Sequence, residues 1–245
     1  MKTAIIVSGI LRETKIASSS WKFDADYFLF TQNTYQAPRK YNKEHCIIKD
    51  LESVHEKFKA VCMIDRLNTE HEFLSTIVNQ TWKWKIAYNF LLSYIEQEQY
   101  TRFILIRPDL FFRFNSKSID EINFEPNVCY STSPIITNPD GLKFSNDTWM
   151  AFDQAVFQKL SQFYDYLKDK NFAITNIHND LADYFQSNNI KVNNRLLELG
   201  ECFVLRKEVN YMFEDSCLKD KYSYNDLAEE LIAWNNHKKS TYPNE

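Results

Sequence analysis

"RFILIRPDLFF", residues 102–112, opens as a buried strand and then breaks off abruptly. Up to Ile106 the run is apolar without a polar interruption, the pattern of a strand covered on both faces. Arg107, Pro108 and Asp109 then arrive together, and the apolar run resumes at Leu110, Phe111 and Phe112. Immediately upstream, Leu74, Ile77, Val78, Trp84, Tyr88, Leu91, Leu92 and Ile95 recur at helical spacing between Glu72 and Glu98. One long amphipathic helix, or two with a bend, therefore feeds this strand and sets Arg107 and Asp109 at its carboxyl end.

Outward from that point, strands and helices alternate. "TAIIVSGILRET" (3–14) is an apolar strand ending at Ser8 and Gly9, with Arg12 three residues on. "DADYFLFTQ" (24–32) and "KAVCMID" (59–65) have strand length, and a short strand is expected at Cys46–Ile48 between them. "NVCYSTS" (127–133) is another strand, followed by a turn-rich loop over 134–147 with a β-turn at Asn138-Pro139-Asp140-Gly141. Residues 148–167 begin as a strand and turn helical near Asp153. Residues 176–192 read as a cap, a helix and a short strand, 200–206 as a last strand, and 225–235 as a closing helix before a frayed tail. This alternation predicts an α/β protein, a single domain over 1–245 with its core at about 3–206 and a helical extension at 207–245.

Composition narrows the chemistry. With only Gly9, Gly141 and Gly200, neither a P-loop nor a dinucleotide-binding glycine fingerprint can be written, nor a G-x-S-x-G nucleophile elbow. Net charge is −4 and no basic block stands out, so no nucleic-acid partner is expected. The five cysteines are scattered and lack a CxxC pair, which predicts buried free thiols in a reducing cytoplasm. No stretch is long enough to span a bilayer, and the sequons at Asn79 and Asn146 then carry no glycosylation meaning.

Three polar constellations fall at strand or helix ends. Arg107 and Asp109 could hold one divalent cation together with substrate phosphates, or form an ion pair that closes the strand. Asn146-Asp147 suits a substrate-facing edge or an Asx turn. His178-Asn179-Asp180 opens a helix, where Asp180 is either a general base or an acid that favours a helix N-terminus. Gly9 could admit a ligand close to the backbone and Arg12 could reach a phosphate, or both could belong to a plain turn. Trp82 and Trp84 alternate with lysines in "WKWK", a motif that could stack a sugar but that on this helix reads as packing. Taken singly, each site leans towards its structural reading.

In order along the chain, however, these pieces resemble a family of small bacterial and viral polysaccharide glycosyltransferase-like proteins. The correspondences are "IIVSGILR" for a strand ending S-G-x-x-R, "DYFLFTQ" for a second strand ending in Thr, and "YTRFILIRPDLFF" for a strand ending R-x-R-P-D-L. "NDTWMAF" answers to an Asp before an aromatic strand, and "IHNDLADYFQSNNIKV" to a looser helix-strand segment. The resemblance implies a GT-A-like, Rossmann-like α/β/α sandwich with a mostly parallel mixed sheet, its site at the strand carboxyl ends. It implies a nucleotide-diphosphate sugar as donor and a glycan or glycolipid as acceptor, which would bring the protein to a membrane surface. Donor-binding residues would be Ser8, Gly9, Arg12, Arg107 and Asp109, with Asp180 as first and Asp147 as second choice of catalytic base. Asp109 would take the place of the last Asp of a D-x-D motif and Arg107 that of the first. Any Mn²⁺ or Mg²⁺ would then rest on Asp109 alone, or be dispensed with. Ile10 replaces a polar amide, and Asn179-Asp180 replaces Pro-Glu. A non-catalytic nucleotide- or sugar-binding module of the same fold is the rival reading. A phosphodiesterase or nuclease would want clustered metal ligands, which the sequence does not show.

Overall fold

The computed structural model describes residues 2–9, 11, 14–32, 54–64, 72–114, 119–132, 136–137, 143–144, 149–173 and 176–204. The expected strand at Cys46–Ile48, the turn at Asn138–Gly141, Arg12, Asn146, Asp147, Cys46, Cys217 and the extension 207–245 lie outside the described residues.

Seven strands form the main sheet: β1 (Lys2–Ser8), β2 (Asp26–Gln32), β3 (Phe58–Ile64), β4 (Tyr100–Ile106), β6 (Val128–Ser131), β9 (Trp149–Asp153) and β10 (Lys191–Asn193). Outside it, β5 (Leu110–Phe114) pairs antiparallel with β11 (Gly200–Val204), and β7 (Ile136–Thr137) with β8 (Lys143–Phe144). The main sheet runs β10-β6-β9-β4-β1-β2-β3. All its pairs are parallel except those of β9, which lies antiparallel between β4 and β6. The α/β class and the mostly parallel mixed sheet expected from the sequence are thus what the structure shows.

The helices are α1 (Thr14–Ser19), α2 (Glu72–Glu98), α3 (Gln154–Ser161), α4 (Phe163–Asp169) and α5 (Ile177–Ser187). Helix α2 is a single unbroken element with the bounds its apolar period predicts. The switch from strand to helix at Asp153 is made by that residue itself, whose side chain accepts from the Val156 amide at 2.8 Å and caps α3. Asn176 caps α5 in the same way, accepting from the His178 amide at 2.9 Å.

Side-chain alternation in the central strands divides the core into two layers. Ala4, Ile6, Phe28, Phe30, Phe103, Leu105, Met150 and Phe152 pack under α2 to α5. Ile5, Val7, Leu29, Ile104, Ile106, Trp149 and Ala151 face α1 and the β5–β11 ribbon. Trp84 of "WKWK" is buried beneath α2, while Trp82 packs on Tyr164 with ring centroids 5.0 Å apart, so this motif is packing. Asn79 and Thr81 of the first sequon are buried within α2. Cys129 is a buried thiol, Cys62 and Cys202 are half-buried, and none of the three is in a disulfide. Among the described residues no helix is long and apolar enough to cross a membrane.

At the amino-terminal edge of the sheet a polar network ties five elements together. Lys2 bonds Asp26 at 2.9 Å and also Glu98, while Lys59 bonds Asp26 at 3.2 Å, Tyr100 at 3.1 Å and also Glu98. The Tyr100 hydroxyl donates to Asp26. Burial alone would raise the Asp26 carboxyl, but hydrogen bonds from Tyr100, Lys2 and Lys59 outweigh it and bring the pKa down to about 2. Because the folded value lies below the ordinary one, this stabilisation is complete above the unfolded pKa and is lost as pH falls towards 2. Thermal melts between roughly pH 5 and pH 2 should therefore show a steeper acid loss in the native protein than in Asp26→Asn.

Candidate functional site

The carboxyl edge of the parallel strands brings together the two motifs singled out in the sequence. In the β1–β4 ladder Val7 pairs with Ile106, so the next residues along, Ser8 and Arg107, continue side by side. Gly9 and Pro108 come next and touch. A Cβ placed on Gly9 would lie 2.8 Å from the Pro108 Cδ, and the Gly9 φ of +152° is one that side-chain-bearing residues rarely adopt. On its other side the Gly9 amide donates to the Phe30 carbonyl of β2 at 3.1 Å. Ser-Gly on one strand and Arg-Pro on its neighbour are therefore two halves of one close approach.

Past Pro108 the chain turns, with the Leu110 amide donating to the Arg107 carbonyl at 3.3 Å. It leaves the sheet as β5, which is held on the α1 side by two bonds. Trp21 Nε1 donates to the Leu110 carbonyl and the Phe112 amide donates to Ser20 Oγ, each at 2.8 Å. Inside the turn Asp109 faces back. Arg107 Nε donates to Asp109 Oδ1 at 2.9 Å and Nη2 to Oδ2 at 2.7 Å, a bidentate pair. The Asp109 side chain is 1% exposed and that of Arg107 18%. Pro108, which lacks an N–H and has a fixed φ, suits the corner.

Buried polar atoms without a hydrogen-bond partner gather at this edge: Ser8 Oγ on β1, Thr31 Oγ1 on β2 and Trp149 Nε1 on β9. In a native protein such atoms call for an explanation, because an unmade bond costs about 1–3 kcal/mol. Strand direction adds Asp180. Helix α5 leads into β10, which runs parallel to β6, so the first turn of α5 lies towards the carboxyl edge. Burial pushes the Asp180 carboxyl up from its ordinary value, against the pull of Lys170 and the Asn176 backbone, and Asp180 Oδ2 and Asn179 Oδ1 are buried without partners.

Of the sequence-predicted site residues, Ser8, Gly9, Arg107 and Asp109 are thus brought together by adjacent strands, and Asp180 lies towards the same end of the sheet. Arg12 and Asp147 lie outside the described residues. Sequence reasoning did not single out Pro108 as the partner of Gly9, nor the orphaned Trp149 Nε1. Only strand register reveals either. Both Asp109 oxygens are engaged by Arg107, and the described residues contain no group of three His, Cys, Asp or Glu side chains that could hold a metal ion. The described residues thus offer no all-protein cage, and a cation bound through Asp109 would share that carboxylate with Arg107 and draw its other ligands from substrate.

No protein-family model matches the chain, and no curated protein is significantly similar to it.

Gly9→Ala should cost about 1–3 kcal/mol in chemical denaturation, and less in a Pro108→Ala background, which removes the clash but not the backbone strain. Arg107→Ala removes the bidentate partner of a buried carboxylate and should cost about 3–5 kcal/mol. Adding Asp109→Ala should recover part of that loss, giving a coupling above ~1 kcal/mol in the double-mutant cycle.

Proposed function

We propose that the chain is a glycosyltransferase that moves a sugar from a nucleoside-diphosphate donor to a hydroxyl of a glycan or glycolipid. The observation that carries this reading is the side-by-side meeting of Ser8-Gly9 with Arg107-Pro108 at the carboxyl edge of parallel strands, where open α/β sheets bind their ligands. The motif resemblance and the mixed sheet support it independently of one another.

In this reading the diphosphate lies against the ends of β1 and β4, where Gly9 presents backbone without a side chain and Arg107 presents positive charge. The bond between the anomeric carbon and the diphosphate oxygen breaks, and the leaving nucleoside diphosphate keeps the electron pair. Arg107 stabilises that developing charge. A new bond forms from the acceptor oxygen, whose proton passes to Asp180 if configuration inverts. A desolvated carboxylate with a raised pKa is suited to that task. The second reading, a binding module without turnover, is favoured by the engagement of Asp109 with Arg107.

The test is a thermal-shift screen with UDP, GDP, CDP, dTDP and their sugars, followed by transfer assays with the donor found. A ligand at a hundredfold excess over its Kd adds about 2.7 kcal/mol, a shift of roughly 5–10 °C for a chain of this size. Asp180→Asn should keep the donor shift and lose transfer by about 10²–10⁴-fold. It should also be no less stable than the native protein near neutral pH. The folded pKa of Asp180 is raised, so its ionisation weakens the fold as pH climbs through that value, and the amide lacks this cost. Donor binding without transfer to any acceptor leaves the binding module, whereas no shift with any nucleotide in a folded sample rejects glycosyl transfer and leaves Arg107–Asp109 an ordinary ion pair.

A further inference from the structure

We propose that Asp109 is a positioning residue for Arg107, and that the guanidinium so held takes the donor's diphosphate in place of a divalent cation. The inference rests on the glycosyl-transfer reading and names how that site meets its anion.

Three features of the turn lead to it. The first is that both Asp109 oxygens accept from Arg107, at 2.9 and 2.7 Å, within a side chain only 1% exposed. A cation needs carboxylate oxygen at about 2.1–2.5 Å, and here it would have to enter a buried space beside a fixed positive charge. The second is rigidity. Pro108 fixes its own φ, its ring abuts Gly9, and the Arg107 carbonyl closes the turn onto the Leu110 amide. The guanidinium is thus oriented before any ligand arrives, which lowers the entropic cost of binding. Its planar fork matches phosphate oxygens as a lysine's point charge does not.

The third feature is independent of the pair. Ser8, 3% exposed and next to Arg107 by strand register, carries a hydroxyl with no hydrogen-bond partner. A phosphate oxygen received by Arg107 would offer that hydroxyl an acceptor. In this proposal Arg107 is the group that meets the anion, with Asp109 supporting it from behind.

Calorimetric titration of the full chain with UDP, GDP, CDP and dTDP, in EDTA and in Mn²⁺, decides the matter. Native protein should bind its preferred nucleoside diphosphate with the same affinity in both. Asp109→Asn keeps the shape of the side chain but not its charge, and should weaken binding about tenfold or more, equally in both conditions. Arg107→Lys should weaken it likewise. Should EDTA abolish binding to native protein and Mn²⁺ restore it, Asp109 serves a metal and the inference falls, while the donor-binding reading stands. Unchanged binding by folded Asp109→Asn in EDTA also overturns the positioning role. If none of the four nucleotides binds in either condition, the glycosyl-transfer reading fails and takes the inference with it. Thermal melts establish that each variant is folded; where Asp109→Asn is not, Arg107→Lys and the comparison on native protein still decide.

Discussion

Nothing larger than a hydrogen atom fits between Gly9 and the Pro108 ring, and much of the site depends on that closeness. The contact fixes the ends of β1 and β4 at one level, so that Ser8 stands beside Arg107. It also lets the chain turn out of the sheet directly after β4, which brings Asp109 back under Arg107 and starts β5 across the other face. A side chain on Gly9 would push the two strand ends apart and disturb the ion pair, the turn and the ribbon that covers α1.

The two edges of the sheet are built on opposite principles. At the amino edge, Lys2, Lys59, Asp26, Glu98 and Tyr100 bond one another, and the network holds the starts of β1, β2, β3 and β4 to the end of α2. At the carboxyl edge, buried hydroxyl, indole and carboxylate atoms are left without partners, and one strand end carries a rigidly mounted cation. Unmade bonds concentrated where parallel strands end are what a site awaiting a polar ligand requires.

For Arg107 and Asp109 the ion pair and the role proposed for it are compatible. A buried bidentate pair contributes little net stability once desolvation is counted, although breaking it is costly. Its value here lies in orientation. In the proposed site the carboxylate holds the guanidinium plane still, and the two charges are paired within the turn.

Much of this was legible along the chain. The apolar period fixed the ends of α2, the Asp153 and Asn176 caps marked α3 and α5, and the run from Phe103 to Ile106 announced a central strand, because each of these signals acts between residues a few positions apart. The polar residues of the candidate site were visible too, as interruptions at the ends of apolar runs. The sequence by itself thus determined the α/β alternation, the residues that end the strands and the absence of glycine-based phosphate loops. Only the tertiary structure decided that β9 inserts antiparallel between β4 and β6, that β5 finds β11, that Gly9 meets Pro108, and that Asp109 spends both oxygens on Arg107. Pairing and register are chosen by contacts between distant segments competing for the same two faces of the sheet. No local pattern encodes the winner of that competition.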